Sequence, residues 1–72
     1  MTGAPLPLAT VSEVRRAFWD EHPALQARYT AASSPRQLAP LKVEATVAFG
    51  LFVAELAKNG EIVPELVGRV TL

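Results

Sequence analysis

The stretch that decides the fold runs from residue 40 to residue 58 and reads PLKVEATVAFGLFVAELAK. Its apolar residues recur at intervals of three and four, which is typical of an α-helix. Asn59 and Gly60 follow directly, and a glycine at this point can take the left-handed conformation that ends a helix. The stretch therefore predicts one long helix over residues 40–58.

Apolar residues surround most of this predicted helix. One side carries the larger ones, which are Leu41, Ala45, Phe49, Phe52 and Leu56. The other side carries smaller ones, which are Val43, Val47, Gly50, Ala54 and Ala57. A helix that touches a core with one face needs an apolar arc of only ~100°. We therefore expect both sides to be buried, the second either by this chain's own first and last helices or by another chain.

The second side is also the predicted oligomer contact. Gly50 and Ala54 lie four residues apart on it and would let another helix approach closely. A glycine inside a helix costs ~1 kcal/mol relative to alanine, so a compensating contact is expected. Half of the chain is apolar (50%), which is high for a domain too small to bury most of its surface. These features predict a homo-oligomer whose contact includes Val43, Val47, Gly50, Ala54 and Ala57.

Shorter helices are predicted before the long one. Residues 10–13 read TVSE and have the pattern of a capping box, in which Thr10 and Glu13 bond to each other's backbone amides. A first helix therefore begins there and ends or kinks at Pro23. Because proline also suits the first turn of a helix, a second segment is predicted from Pro23 to about residue 32. The sequence leaves open whether these segments form one bent helix or two.

The remaining segments complete a single all-α domain over residues 10–72. The capping-box spacing of Ser34 and Gln37 predicts one short helical turn. Pro40 then begins the long helix as its first residue. A last helix is predicted over residues 64–70, burying Leu66, Val67 and Val70. Residues 1–9 contain Gly3, Pro5 and Pro7 and are predicted to form a flexible arm. The expected architecture is a small bundle of three to four helices with a long central helix.

Composition excludes several classes of protein. The chain has no cysteine and only one histidine, His22, so we expect no disulfide, no metal site and no cofactor. Its seven basic and seven acidic residues cancel, which makes nucleic acid an improbable partner because such binding depends on neutralising phosphates. The apolar stretch 43–57 is too short to span a bilayer, and the N-terminus lacks the basic region of a signal peptide. We therefore expect a cytoplasmic protein without a membrane contact.

No residue pattern in the chain points to catalysis. Asp20, Glu21 and His22 are consecutive, and consecutive helical residues point in different directions, so they would not converge on one substrate. Glu44 and Glu55 are three helical turns apart, too far for a paired-carboxylate mechanism. We therefore expect no enzymatic activity and no catalytic residue.

The predicted partner-binding residues lie on the first helix. These are Arg15, Arg16 and Trp19; the two arginines precede Trp19 by four and three residues, so at least one shares its flank of the helix. Arg28 is a possible further member of this cationic, aromatic patch. Arginine and tryptophan dominate the binding energy of many interfaces. In the alternative interpretation, Trp19 covers one end of the core. A small dimeric DNA-associated transcriptional regulator, binding through the helix of Arg15 and Arg16, is the alternative function.

The sequence also resembles a group of short proteins encoded on bacterial phages, plasmids and integrated mobile elements. The resemblance covers most of residues 10–72 and is carried by three stretches. These are residues 14–23 (VRRAFW followed by HP), residues 49–53 (FGLFV) and the ending 60–72, with Ile62, Leu66 and Arg69. It implies a bacterial or phage origin and a protein that binds one host or rival protein, as anti-CRISPR proteins do. It implies no catalytic residues.

Overall fold

The computed structural model describes residues 6–72, which form an all-α chain. Four helices follow one another in these residues: α1 (Val11–Glu21), α2 (Pro23–Ala31), α3 (Pro35–Lys58) and α4 (Pro64–Val67). Helix α3 contacts each of the other three helices, and α1 also contacts α2. The all-α prediction is confirmed, and α3 is the predicted long helix.

Helix α1 begins with the predicted capping box. The Thr10 hydroxyl accepts the backbone amide of Glu13 at 3.2 Å. The Glu13 carboxylate accepts the backbone amides of Thr10 at 3.1 Å and Ala9 at 3.2 Å. The hydrogen bond from Ala9, followed by that from the Thr10 side chain, lowers the pKa of Glu13 below its ordinary value of 4.5. The start of α1 is therefore fixed by side chains within four residues of each other.

Replacing Thr10 with alanine is expected to lower the free energy of unfolding by about 1 kcal/mol, because the helix loses its N-cap. Urea unfolding followed by circular dichroism measures this change. The carboxylate of Glu13 stabilises the fold at pH values above its pKa in the unfolded chain. This contribution is lost as the pH falls through its pKa in the folded protein, which is lower. The difference in the free energy of unfolding between wild type and Thr10→Ala should therefore become smaller below pH 4.5. Ser12→Ala is the control, and an effect equal to that of Thr10→Ala would contradict the capping role.

A sharp break separates α1 from α2, so the two segments are distinct helices. His22 stands between them with φ −129° and ψ 58°, and Pro23 is the first residue of α2. The His22 ring donates from Nδ1 to the carbonyl of Phe18 at 2.9 Å and stacks on the Phe18 ring with centroids 4.4 Å apart. His22 therefore ends α1 and covers part of the core.

Helix α3 begins at Pro35, five residues earlier than predicted. The Ser34 hydroxyl accepts the backbone amide of Gln37 at 3.3 Å, which caps the helix. The predicted restart at Pro40 is wrong, because the helix continues through this residue. Pro40 cannot donate to the carbonyl of Arg36, but Arg36 is exposed, so water can take that hydrogen bond.

The core lies on one side of α3. Phe18 of α1 is the largest fully buried side chain of the core. The Phe18 ring packs edge to face against the rings of Phe49 and Phe52, with centroids 5.3 Å and 5.6 Å apart. In the described residues no polar or charged side chain is buried. The buried side chains are Val14, Phe18, Leu25, Leu41, Ala45, Phe49, Val53, Leu56, Ile62 and Leu66.

The C-terminal end of the domain differs partly from prediction. Gly60 ends α3 with φ 69°, as its position predicts. Helix α4 stops at Val67, three residues earlier than predicted, and Val67 is exposed rather than buried. Leu66 is buried and Val70 is half-buried. Val67 directly follows Leu66 and so lies ~100° around the helix from it, which turns its side chain away from the core.

The segment around Leu8 is tied to the loop between α3 and α4. Leu8 donates its amide to the carbonyl of Glu61 at 2.8 Å and accepts the amide of Val63 at 3.0 Å. These two bonds form an isolated parallel bridge between Leu8 and Ile62. The predicted flexible arm covers residues 1–9, and its first five residues lie outside the described part of the chain. Its later part is held at Leu8.

Candidate functional site

The second side of α3 lies open to solvent. Val43 is 66% exposed and Val47 60%. Leu51, which borders this side of the helix, is 69% exposed. The expectation that the chain's own helices cover this side is therefore wrong, because the buried residues of α3 all lie on its other side. We name the exposed surface the open face, and it consists of Val43, Val47, Gly50, Leu51, Ala54 and Ala57.

The open face has the spacing of a helix-pairing seam. Residues 43, 47, 50, 54 and 57 alternate between steps of four and three, which is the heptad spacing of two helices that pack along their length. Glu44, Leu51 and Lys58 are one heptad apart and follow one edge of this seam. The polar residues at the ends of that edge limit the apolar strip to roughly residues 43–57.

Nothing within the described chain explains the glycine at position 50. A Cβ atom placed there would meet no neighbour within 4 Å. The contact that we expected to compensate for the low helix propensity of Gly50 is therefore not made by the chain's own helices. The space beside Gly50 is free for another molecule.

An ion pair lies beside the open face. The guanidinium of Arg28 donates to both carboxylate oxygens of Glu44, at 3.1 and 3.2 Å. Both side chains are about half exposed (57% and 50%), and pairs of this kind contribute little to stability. The pair joins α2 to α3 and places Arg28 against Glu44, so Arg28 is not a free member of the predicted patch on α1.

The predicted partner-binding residues have contacts within the chain. Arg15 donates from Nε to the carbonyl of Thr71 at 2.7 Å and so holds the C-terminal segment against α1. Trp19 is half-buried, and its ring meets the rings of Phe18 at 4.9 Å and Tyr29 at 5.5 Å edge to face. Arg16 is exposed. The contacts of Trp19 favour the interpretation in which it covers one end of the core, and the binding role of the three residues stays a prediction.

The described residues offer little for small-molecule or metal chemistry. Among residues 6–72, no group of three or more histidine, aspartate or glutamate side chains could hold a metal ion. A groove of about 580 Å³ lies at the turn between α2 and α3, lined mainly by Ala32, Leu38, Ala39 and Lys42. Two serine hydroxyls on its wall already take part in hydrogen bonds with Gln37. A ligand pocket normally needs several converging polar groups, which this groove does not provide.

Helix α3 is long and apolar enough, by length and composition, to cross a membrane. Only 22% of its most apolar 18-residue window is buried. One such helix is weak evidence for a membrane span, because the core helix of a soluble protein can have the same length and composition. The prediction that the apolar stretch is too short used residues 43–57, whereas the helix itself has 24 residues. The prediction from length is therefore wrong, because ~20 residues suffice to span a bilayer.

No protein family model, no curated protein and no solved structure matches this chain. The fold and the site define a class of molecule, namely a small all-α chain with an uncovered apolar face on its longest helix. The function is therefore argued from that face.

Proposed function

We propose that the chain is a non-catalytic protein-binding module that docks through the open face of α3. One observation carries the proposal: Val43, Val47 and Leu51 are at least 60% exposed and lie on the same side of one helix. Full burial of a valine or leucine side chain contributes about 1.5–3 kcal/mol. Exposed apolar patches that continue from one residue to the next are typical of interaction sites, whereas scattered surface leucines are not.

The other side of α3 supports this role by holding the helix in place. Leu41, Ala45 and Phe49 pack into the core, so α3 is ordered before any partner arrives. A preordered helix loses little conformational freedom on binding, which favours affinity. We propose a small bundle in which α1, α2 and α4 support α3 from one side and leave the open face for a partner.

The biological setting of the proposal rests on the resemblance to short proteins of phages, plasmids and integrated elements. Such a chain would act in the cytoplasm as an accessory factor that binds a host or rival protein, and an anti-CRISPR-like role is one form of this. The open face would be the surface through which it assembles or captures that protein.

Two exposed alanines allow a matched test. Ala54→Glu adds one carboxylate to the open face, and Ala27→Glu adds one to the exposed surface of α2. We expect Ala54→Glu to abolish both self-association in light scattering and capture of proteins from a bacterial lysate. Ala27→Glu should behave like the wild type. If the two variants behaved identically in both measurements, the open face would not be the binding surface.

Substitution of Gly50 separates folding from binding. Gly50→Ala is expected to raise the free energy of unfolding by about 0.5–1 kcal/mol, because alanine favours the helix and space is open beside it. Gly50→Leu should also fold well, but should weaken assembly by about 1–3 kcal/mol by overpacking a close helix crossing. Urea unfolding of dilute protein and light scattering of concentrated protein measure the two effects. Unchanged assembly of Gly50→Leu would show that no helix packs closely at Gly50.

A further inference from the structure

We propose that the open face binds a second copy of this chain, with the two α3 helices antiparallel and the two-fold axis close to Leu51. The inference rests on the proposed function and names the partner of the same surface. It is carried by the exposure of Val43, Val47 and Leu51 together with the charges that flank them.

The flanking charges are placed symmetrically about Leu51. Glu44 stands seven residues before Leu51 and Lys58 seven residues after it, and both are exposed on the same edge of the open face. A two-fold axis near Leu51 brings Glu44 of each copy beside Lys58 of the other, which forms two equivalent ion pairs. In a parallel pairing, Glu44 would instead lie beside Glu44 of the other copy and Lys58 beside Lys58. The residue of opposite charge would then lie ~21 Å away along the helix. The charges therefore select the antiparallel arrangement.

The intrachain ion pair is compatible with this arrangement. Each oxygen of the Glu44 carboxylate accepts one hydrogen bond from Arg28. A carboxylate has about four acceptor positions, so Lys58 of the second copy finds free ones. Arg28, Glu44 and that lysine would form a short charged row along the edge of the interface.

The same register brings small residues together at the centre of the seam. The core layers are centred one residue beyond Leu51, because edge residues of antiparallel helices meet about two positions out of step with the core layers. Gly50 of one copy therefore lies opposite Ala54 of the other, and Val47 lies opposite Ala57. Neither of these two layers sets one large side chain against another, and the open space beside Gly50 becomes filled. The two Leu51 side chains meet at the edge of the seam. The overlap of residues 43–58 is ~22 Å long. An interface of one helix pair is small, so we expect a reversible dimer with a Kd of about 10–100 µM.

A charge exchange tests the pairing of Glu44 with Lys58. Glu44→Lys and Lys58→Glu should each raise the dimer Kd about tenfold in sedimentation at low salt, and the double variant should recover to within about threefold of wild type. Glu21→Lys is the control, because it makes the same charge change at an exposed position of α1, outside the open face. Its Kd should match that of the wild type.

Cross-linking tests the axis. The chain has no cysteine, so Leu51→Cys and Val43→Cys each carry a single thiol. In the proposed dimer the two copies of residue 51 lie close together, whereas those of residue 43 lie ~24 Å apart along the helix. A short thiol-reactive cross-linker should therefore join Leu51→Cys into a covalent dimer and leave Val43→Cys monomeric.

The outcomes separate this inference from the proposed function. Suppose that Ala54→Glu dissociates the dimer, but the double charge variant does not recover and Leu51→Cys does not cross-link. This result would overturn the antiparallel register and leave the open face as the binding surface. A chain that stays monomeric at 1 mM (about 10 to 100 times the expected Kd) while capturing another protein through the same face overturns the second copy as occupant. Binding of the monomeric chain to phosphatidylcholine vesicles, lost in Ala54→Glu, overturns both and assigns the face to a membrane.

Discussion

Phe18→Ala is expected to leave most of the protein unfolded at room temperature. Phe18 is fully buried, and its ring contacts those of Phe49, Phe52 and His22. Truncating a buried phenylalanine to alanine costs about 3–5 kcal/mol. A domain of this length rarely has more than about 3–5 kcal/mol of stability in total, so the loss removes nearly all of it.

Far-UV circular dichroism measures this result, because the unfolded variant would lose most of its helical signal at 25 °C. Leu51→Ala is the matched control, since it also truncates a large apolar side chain to alanine, but at a position that is 69% exposed. That variant should keep the helical signal and the melting temperature of the dilute wild type. A cooperative melt of Phe18→Ala near the wild-type temperature would show that α1 does not anchor the core.

The ends of most helices could be predicted because local signals determine them. Thr10, Pro23 and Gly60 each act on residues within one helical turn, so short stretches of sequence contain all the information. The start of α3 shows where such signals compete. Pro40 is acceptable as a first helical residue, but Ser34 caps a longer helix that also brings the half-buried Leu38 to the side of Leu41. Both signals are local, so neither of them shows by itself which one starts the helix.

The side of α3 that faces the core could be predicted only in part. The larger residues indicate the buried side correctly for Leu41, Phe49 and Leu56, whereas Val53 is also buried and was on neither predicted side. Exposure of the second side depends on where α1, α2 and α4 dock. The sequence of α3 alone shows an apolar arc wide enough for two partners, but it does not show whether both belong to the same chain.

The contacts of the charged residues were beyond sequence reasoning. Arg15 reaches a carbonyl 56 positions away and Arg28 a carboxylate 16 positions away. Helix periodicity relates residues three and four apart and carries no information about partners at these distances. For this reason the sequence offers Arg28 as a possible member of the patch on α1 and gives no partner for Glu44.

Trp19→Ala distinguishes the two roles that the sequence allows for this residue. A binding hot spot would lose its partner and keep its fold, whereas a core residue would lose stability. The Trp19 ring is half-buried and lies edge to face against Phe18 and Tyr29, so it joins α1 to α2. We therefore expect a fall in the free energy of unfolding of about 2–3 kcal/mol, less than for a fully buried tryptophan. The melting temperature should fall by about 10–20 °C.

Arg16→Ala provides the control for this prediction, because Arg16 is exposed on the same flank of α1. Its truncation should change stability by no more than about 0.5 kcal/mol. Thermal melts followed by circular dichroism compare both variants with the wild type, and a lysate capture assay shows whether either loses a partner. If Trp19→Ala melted with the wild type while both variants failed to capture the same protein, the flank of Arg16 and Trp19 would be a binding surface. The edge-to-face contacts of Trp19 would then contribute little to the fold. We expect the reverse, because a ring held between Phe18 and Tyr29 loses those contacts on truncation whether or not a partner is present.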